Sequence, residues 1–369
     1  MILGVSVFNI SRGGGLIHLK ELLNNSFNNQ KSFKKIILWA NREILDQIND
    51  NKILEKRTHP FLEKNILYKL FWQNFILTRE CRLEKIDLLY VPGQIYTGSF
   101  KPFVTMFQNA LPYEKKQAQK YLGYLFYIKL VFIKFFQLIS FKNSNGIIFL
   151  SQYGKNLIKQ KIDIKDIKTT IIPHGISQQF FLRPRKQKDI KYYTKQNKFK
   201  IIYVSTVDLY KHQWNVIEAT SYLRNKGYPI SLDLVGGYYL PALKKLNAAI
   251  NKYDSKKEFI SYHNELDHYE ICKKLHQSDL FVFASSCENL PIALLEGMSS
   301  GLPIVCSNLS PMKDIMPKET LLFDPYNISD LAKKIEQYLI NHDLRQINAM
   351  KTYSLSKKYS WDKCTNETF

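Results

Sequence analysis

The stretch DLFVFASSCENLPIALLEGMSSGLPIVCSN, residues 279–308, contains the pattern that decides the fold. It begins with an apolar run typical of a buried strand, continues through a short CEN turn into an apolar segment with helical spacing, and ends in a second strand-like run. This order of elements predicts one unit of a parallel α/β sheet. The turn would hold Glu288 at the carboxyl edge of that sheet, and Glu296 would lie about two helical turns further on.

The same alternation of short apolar runs and helical segments extends over the rest of the chain. The strand-like runs are ILGVSVFNI, KKIILWA, IDLLYV, FVTMFQ, GIIFLS and TTIIPHGI in the first half, and FKIIYVST and ISLDLVGG in the second. A chain of 369 residues is too long for one ordinary core. We therefore expect two successive α/β domains, each built on a parallel sheet.

A basic segment predicts the boundary between the two domains. Residues 183–200, RPRKQKDIKYYTKQNKFK, contain eight basic residues and one acid, so we expect a solvated linker or loop over 181–200. The predicted domains are then residues 1–180 and residues 201–345. The helical tail 346–369 is expected to pack back on the first domain.

The net charge of the chain, +21, comes from 53 Lys and Arg against 32 Asp and Glu. A surface of this charge favours anionic partners, namely nucleotide phosphates, nucleic acid or an acidic membrane face. A lysine-rich composition that only keeps the protein soluble explains the same charge.

The cysteines and the N-terminal segment indicate a cytoplasmic protein. The five cysteines are odd in number and lack CxxC spacing, which predicts reduced, mostly buried thiols and no structural zinc site; they are Cys81, Cys272, Cys287, Cys306 and Cys364. The first residues have neither the basic region nor the cleavage pattern of a signal peptide, so they are expected to form a first strand.

The aromatic segment YLGYLFYIKLVFIKFFQLISF, residues 121–141, raises the question of a membrane. Each lysine near a bilayer centre costs about 2.5–3.5 kcal/mol, so Lys129 and Lys134 disfavour a spanning helix. The spacing predicts a helix with Lys134 and Gln137 on one polar arc, Lys129 opposite, and a large apolar face. That face suits packing in the core, or docking of a peripheral protein on the acidic inner face of the cytoplasmic membrane.

Three motifs carry candidate chemistry. The glycines of SRGGGLIHLKELL, between a strand and a helix, allow backbone amides to approach a phosphate, although a tight turn without a ligand gives the same pattern. Lys211 begins a helix after a strand end, where it could neutralise a diphosphate or merely cap the helix in solvent. Glu288 and Glu296 can accept hydrogen bonds from the vicinal hydroxyls of a sugar or ribose. Without a ligand, the same pattern would be one acid at a helix start and one solvated glutamate.

These two glutamates form an EX7E motif that, with the following GMSSGLPIVCSN, resembles the signature of retaining family 4 glycosyltransferases. The resemblance covers most of the chain, through Gly13 to Gly15, IIPHGI, the element ending at Lys211, LDLVGG, and LLFDP at 321–325. It implies an α/β fold of GT-B architecture, in which two Rossmann-like domains with doubly wound parallel sheets face a central cleft.

The resemblance also implies a role for each matching position. Glu296 would hydrogen-bond the ribose of a nucleotide sugar, and Glu288 would face the hydroxyls of the donor sugar. Lys211 would pair with the departing diphosphate, and the backbone around Asn289 and Leu290 would add amide donors. The glycines Gly14 and Gly15 would leave room for the diphosphate or the acceptor.

The chain departs from the family pattern at two places. Where members often have Gly-Arg before the lysine, this chain has Ser205 and Thr206, so Arg12 is a candidate to replace the missing arginine. Where members often have a histidine after a strand of the first domain, this chain has Gln108 followed by Asn109. An amide can bind a sugar hydroxyl but cannot titrate.

The function that the resemblance implies is transfer of a hexose, with retention, from a nucleoside diphosphate sugar to a saccharide or lipid-linked saccharide in surface polysaccharide (O-antigen or capsule) biosynthesis. No cofactor or metal is expected, because Lys211 and helix-start amides can stabilise the leaving diphosphate. The alternatives are a basic nucleic-acid-binding protein, for which the recognition signatures are missing, and an epimerase of the same fold.

Overall fold

The computed structural model describes residues 1–8, 10, 13–26 and 33–369. Arg12, the candidate substitute for the missing arginine, lies outside the described residues. The chain forms two compact units, of which the first comprises Met1–Gly175 and Ser360–Phe369 and the second comprises Ile176–Tyr359.

The first unit is built on seven parallel strands. These are β1 (Ile2–Val7), β2 (Lys35–Ala40), β3 (Leu54–Arg57), β4 (Leu88–Val91), β5 (Phe103–Phe107), β6 (Gly146–Phe149) and β7 (Lys168–Ile171). They lie in the order β3-β2-β1-β4-β5-β6-β7. The chain reverses its direction across the sheet between β1 and β4, which is where ligands of open α/β sheets bind.

The helices of the first unit connect these strands. They are α1 (Gly14–Ser26), α2 (Arg42–Leu45), α3 (Ile66–Phe71), α4 (Thr78–Leu83), α5 (Lys115–Ala118), α6 (Leu125–Asn143) and α7 (Gln152–Lys159). A π-helical segment, Trp72–Leu77, joins α3 to α4, and 3₁₀ turns cover Pro60–Glu63 and Gln119–Tyr121.

Two of these helical segments pack against one apolar core on the same face of the sheet. Trp72 and Leu77 of the α3–α4 segment pack in one cluster with Trp39 and Phe103 of the strands, and Phe136 of α6 packs against that cluster. The α3–α4 segment and α6 therefore cover the same side of the first sheet.

The second unit repeats this plan with six strands. These are β8 (Phe199–Val204), β9 (Ile230–Val235), β10 (Ile260–His263), β11 (Leu280–Phe283), β12 (Ile304–Ser307) and β13 (Leu321–Phe323), in the order β10-β9-β8-β11-β12-β13. Both sheets are parallel throughout, because every recorded strand pair is parallel. The predicted pair of doubly wound α/β domains is thus confirmed.

The helices of the second unit follow its strands. They are α8 (Gln213–Asn225), α9 (Leu240–Tyr253), α10 (His268–His276), α11 (Ile292–Ser299), α12 (Met312–Ile315), α13 (Ile328–Ile340) and α14 (His342–Ser356), with 3₁₀ turns at Gln178–Phe180 and Ile190–Tyr192. The quoted stretch 279–308 forms β11, α11 and β12, as its pattern predicts.

The chain ends in α15 (Trp361–Thr368), which belongs to the first unit and packs on α1. Gly175 makes this close approach possible, because a Cβ there would lie 2.2 Å from the backbone nitrogen of Trp361. The chain therefore passes between the units at residues 175–176 and again at 359–360.

The unit boundaries differ from those expected from the sequence. The segment 181–200 is part of the second unit, where Arg185 pairs with Asp279 at 2.8 Å and the buried Arg345 donates to Gln187 at 3.2 Å. Backbone and side-chain partners let this basic segment pack on a domain. Most of the expected tail, with the larger part of α14, also belongs to the second unit, and only Ser360–Phe369 joins the first.

The aromatic segment forms α6, with an orientation opposite to the one expected for core packing. Gln137 is buried and donates to Gln94 at 3.1 Å, while the apolar stripe that includes Leu125 and Phe132 is exposed. A buried amide partner thus decides which face turns inward. Within the described ranges, no helix is both long enough and apolar enough to cross a membrane.

Candidate functional site

The candidate site of the second unit lies where its sheet reverses direction, between β8 and β11. These strands are neighbours, with Leu280 beside Ile201 and Phe281 beside Ile202. Because both run in the same direction, the loops that follow them emerge at one edge of the sheet. Those loops contain the predicted residues Lys211 and Glu288.

Hydrogen bonds join these two loops to each other. The backbone N–H of Ser286 donates to the carbonyl oxygen of Tyr210 at 2.8 Å, and His212 Nε2 lies 2.9 Å from the Ser286 hydroxyl. His212 has a left-handed backbone conformation, with φ of 55°, directly before α8. The sharp turn there aims Lys211 toward the loop after β11, and residues held in such conformations are common at binding sites.

Lys211 and Glu288 form an ion pair at this edge. Lys211 Nζ contacts Glu288 Oε1, and the two side chains are only 10% and 13% exposed. The ammonium also lies 5.1 Å from the centre of the Tyr210 ring. A pair so well shielded from solvent is weakly screened, and each charge holds the other in one position.

The buried Tyr203 supports the backbone of this pair. Its hydroxyl donates to the carbonyl oxygen of Lys211 at 2.8 Å, and burial, together with the nearby Glu288 carboxylate, raises the pKa of Tyr203 well above its usual value. Tyr203 therefore keeps its proton and remains a hydrogen-bond donor to the backbone of Lys211.

Ser205 and Thr206, which replace the Gly-Arg of the family pattern, are held by Gln213. The Gln213 amide donates to the Ser205 hydroxyl at 2.9 Å and to the Thr206 carbonyl at 3.0 Å. Gly236 approaches this turn so closely that a Cβ would lie 2.3 Å from the Ser205 carbonyl oxygen. The turn is therefore fixed, and Thr206 is exposed at its tip.

Glu296 lies on the first helix after the quoted turn and is buried. Its Oε1 is 3.1 Å from His268 Nε2, at the start of α10. The Phe180 ring packs edge-on against His268 with 5.0 Å between ring centres. Burial and the Glu296 carboxylate raise the pKa of Cys272, so this thiol stays protonated near the site.

The turn between the two glutamates contains Asn289 and Leu290, which are both buried. Helix α11 begins two residues later, with Leu294 N donating to the Pro291 carbonyl at 3.1 Å. The helix start thus lies between the two acids in sequence, where its partial positive charge favours an anion. Among the side chains that the structure describes, no group of three or more His, Cys, Asp and Glu is arranged to hold a metal ion.

The first unit brings its own candidates together at the carboxyl edge of its sheet. Gly14 and Gly15 open α1, and a Cβ on Gly15 would lie 3.1 Å from Gln108 Oε1. The Gln108 amide donates to the Pro92 carbonyl at 3.2 Å. Asn109 is exposed, and its backbone N–H donates to Gln94 Oε1 at 3.2 Å. Hydrogen bonds with Pro92 and Gln94 thus hold the predicted amide residues, Gln108 and Asn109, in place.

The sequence patterns do not predict three partners of these residues, His268, Gln213 and Gln94. His268 lies after an edge strand that was not predicted, and a capping Asp267 ahead of a helical pattern was the available signal. Gln213 and Gln94 are recognisable only through their contacts, because a glutamine in a helix or a loop has no signature of its own. Gln94 has φ of 68°, a conformation that few side chains other than Asn and Gly adopt readily.

Comparisons with known proteins fit this geometry. Residues 184–354 match the family described as glycosyl transferases group 1. The chain is 32% identical to the O-antigen chain mannosyltransferase B of Escherichia coli over 88 residues. These residues cover 24% of this chain and 23% of that protein. It is 24% identical over 231 residues to the UDP-Gal:alpha-D-GlcNAc-diphosphoundecaprenol alpha-1,3-galactosyltransferase of Escherichia coli, covering 60% of this chain and 57% of that protein.

The fold likeness extends over both units. Anabaena HepE, whose structure contains UDP and glucose, is 16% identical, covers 100% of this chain and 98% of its own, and superposes with a TM-score of 0.71. The chain therefore has the GT-B fold, and its residues 184–354 match the glycosyltransferase group 1 family. The predicted GT-B fold is confirmed, and the match over residues 184–354 agrees with the predicted glycosyltransferase class. The chain spans less than two thirds of the length of either Escherichia coli relative.

Proposed function

We propose that this protein is a retaining hexosyltransferase that uses a nucleoside diphosphate sugar and an acceptor hydroxyl of a saccharide or a lipid-linked saccharide. The observation that carries the proposal is the shielded contact between Lys211 and Glu288 where the second sheet reverses direction. An ammonium and a carboxylate at one sheet edge match the two halves of the donor, its diphosphate and its sugar hydroxyls.

The names of the relatives support the context of this reaction. One is a mannosyltransferase of an O-antigen chain, and another transfers galactose from UDP-Gal to a sugar on diphosphoundecaprenol. By analogy, we assign this chain to surface polysaccharide biosynthesis, in O-antigen or capsule, with its reaction in the cytoplasm.

In the proposed donor complex each charged residue has one task. The diphosphate enters beside Lys211 and the start of α11, so the ammonium turns from Glu288 toward phosphate. The freed Glu288 carboxylate then accepts hydrogen bonds from sugar hydroxyls, and Glu296, which lies beside His268, accepts those of the ribose. Two hydrogen bonds to one carboxylate fix the orientation of a diol.

The chemical step follows from a leaving group that already carries charge. The acceptor oxygen attacks the anomeric carbon on the face from which the diphosphate leaves; the bond from carbon to diphosphate oxygen breaks, and that oxygen takes the acceptor proton. Lys211 and the helix-start amides stabilise the growing negative charge. Glu288 positions the donor and is not the nucleophile.

The acceptor side is assigned to the amides of the first unit. Gln108 and Asn109 donate and accept hydrogen bonds without titrating, which suits sugar hydroxyls. We assign Gly14 and Gly15 to backbone contacts, because a glycine leaves space where the chain approaches a ligand. No nucleic acid takes part.

A screen of UDP- and GDP-hexoses tests the proposal, with nucleoside diphosphate release and the anomeric configuration of the product as readouts. We expect one donor to be consumed with retention, at a rate that EDTA leaves unchanged. Lys211→Ala should abolish most of the turnover, while Lys333→Ala, an exposed lysine on α13, should not. Unchanged turnover in Lys211→Ala, an inverted product, or a free epimer of the donor would contradict the assignment.

A further inference from the structure

The helix α6 exposes an apolar stripe to solvent. Leu125, Ile128, Phe132 and Phe135 follow one another at helical spacing, and their exposed fractions are 86%, 54%, 58% and 58%. Residues spaced by three or four lie on one side of a helix. Monomeric proteins seldom expose such a continuous apolar surface without a partner.

The α3–α4 segment, on the same side of the first sheet, exposes a second apolar stripe. Leu67, Phe71 and Phe75 are spaced by four and are 72%, 50% and 64% exposed. The rings of Phe71 and Phe75 contact each other, with 4.8 Å between their centres. Because this segment and α6 cover the same side of the first sheet, their exposed residues face away from one core.

Basic residues accompany both parts of this surface. The segment 115–145 contains six lysines and no acid, and residues 64–79 contain two lysines and one arginine and no acid. Lys129 and Lys142 are exposed on α6 itself, and Lys64 is exposed just before α3. Exposed apolar side chains surrounded by lysines favour a partner with an anionic surface and an apolar interior.

From these observations we propose that the exposed face of α6 and α3–α4 docks on an anionic lipid bilayer, with its apolar side chains in the interfacial layer and its lysines on the lipid headgroups. A second copy of the chain is a poorer occupant, because two such faces would bring like charges together. The phenylalanines and leucines of the face are residue types that interfacial helices place against a bilayer.

The inner side of α6 connects this surface to the acceptor candidates. Gln137 donates to Gln94 at 3.1 Å, and Gln94 accepts from the backbone of Asn109 at 3.2 Å. A bilayer that holds the outer face of α6 would thus also hold the loop that we assign to the acceptor. The docking itself is independent of the proposed transfer reaction and is measured without any sugar.

Flotation of the purified full chain with vesicles tests this proposal. We expect binding to vesicles of phosphatidylcholine with phosphatidylglycerol and much weaker binding to phosphatidylcholine alone. Leu125→Ser with Ile128→Ser should weaken binding by at least about tenfold. Lys129→Glu with Lys142→Glu should weaken it by about thirtyfold or more.

Matched variants in the second unit serve as controls. Ile340→Ser with Ile347→Ser removes exposed aliphatic residues, and Lys256→Glu with Lys333→Glu makes the same change of net charge. Both should float like the wild type, and circular dichroism should show all four variants folded. The proposal is overturned if the wild type does not float, if it binds both vesicle types equally, or if test and control variants lose binding alike. A dimer that the Leu125 and Ile128 changes abolish, in a protein that ignores vesicles, would identify a second copy as the occupant.

Discussion

The carboxyl edges of the two sheets use different chemistry on the same architecture. In the second unit the assigned residues are ionic: Lys211 contacts Glu288, and Glu296 lies beside His268. In the first unit the assigned side chains are amides, Gln108 and Asn109, supported by Gln94 and Gln137. With the proposed roles, one strand order serves a charged ligand in one unit and a neutral, hydroxyl-rich ligand in the other.

Lys211→Ala should have the largest effect of any change that breaks this contrast. It removes the cation that we assign to the leaving diphosphate, and it leaves the shielded Glu288 carboxylate without its partner. We therefore expect kcat to fall by about 100- to 1,000-fold. Steady-state kinetics with the consumed donor measures this. A fall in kcat below about threefold would remove Lys211 from the site.

Glu296→Gln should have the next largest effect and should act on donor binding. Loss of charged hydrogen bonds to the ribose costs about 1.5–3 kcal/mol, so we expect KM for the donor to rise by about 10- to 100-fold with a smaller change in kcat. Kinetics with varied donor at saturating acceptor checks this. The control is Glu336→Gln, on an acid that pairs with Lys226 on the surface of the same unit. An equal effect of both changes would speak against a donor contact.

Gln108→Leu should sharpen the contrast from the first unit. A leucine keeps the bulk of the side chain and removes its hydrogen bonds, so we expect KM for the acceptor to rise by about tenfold while KM for the donor stays unchanged. Gln119→Leu, an exposed glutamine in the same unit, is the matched control. A rise in donor KM alone would reassign Gln108 to the sugar of the donor.

The buried histidine pair of the first unit is predicted to affect stability in acid. Burial lowers the pKa of His174 to about 3, and burial with the neighbouring His174 lowers that of His18 as well. The unfolded chain binds protons near pH 6.5, so the stability of the first unit is complete above that pH and falls as the pH drops toward 3. Each histidine lowers the free energy of unfolding by about 1.4 kcal/mol per pH unit. Each kcal/mol lost lowers Tm by about 2–4 °C.

Tryptophan fluorescence during heating can follow this loss, because Trp39, Trp72 and Trp361 belong to the first unit. The pH dependence of Tm should become shallower in His174→Gln and stay unchanged in His342→Gln, which alters a partly exposed histidine of the second unit. Equal slopes in all three proteins would show that other groups control the acid stability.

The sequence predicts the elements that are apolar and local. The run of β11, the turn at Glu288 and the start of α11 lie within a few residues of one another, so their pattern determines both the fold and the position of the acids. The strands β3, β10 and β13 were not predicted, because LEKR and ISYH are short and polar and LLF is only three residues long. Edge strands need no apolar side chains on both faces.

What the sequence could not predict depends on contacts between distant residues. The inward orientation of Gln137 requires Gln94, 43 positions earlier, and the packing of the basic segment requires Asp279 and Arg345. The contact of Glu296 with His268 links two helices that no local pattern connects. Periodicity identifies a helix with two possible faces, and only a partner decides which face is buried.

The return of α15 to the first unit has a consequence for the order in which the protein is made. Residues 1–175 leave the ribosome first. Trp361 can pack on the pair of His18 and His174, and Phe369 can pack on Phe33, only after the whole second unit has been translated. The second unit is contiguous in sequence and can complete its folding earlier. A chain that stops before residue 360 should therefore contain a finished second unit beside a first unit that still lacks its last helix.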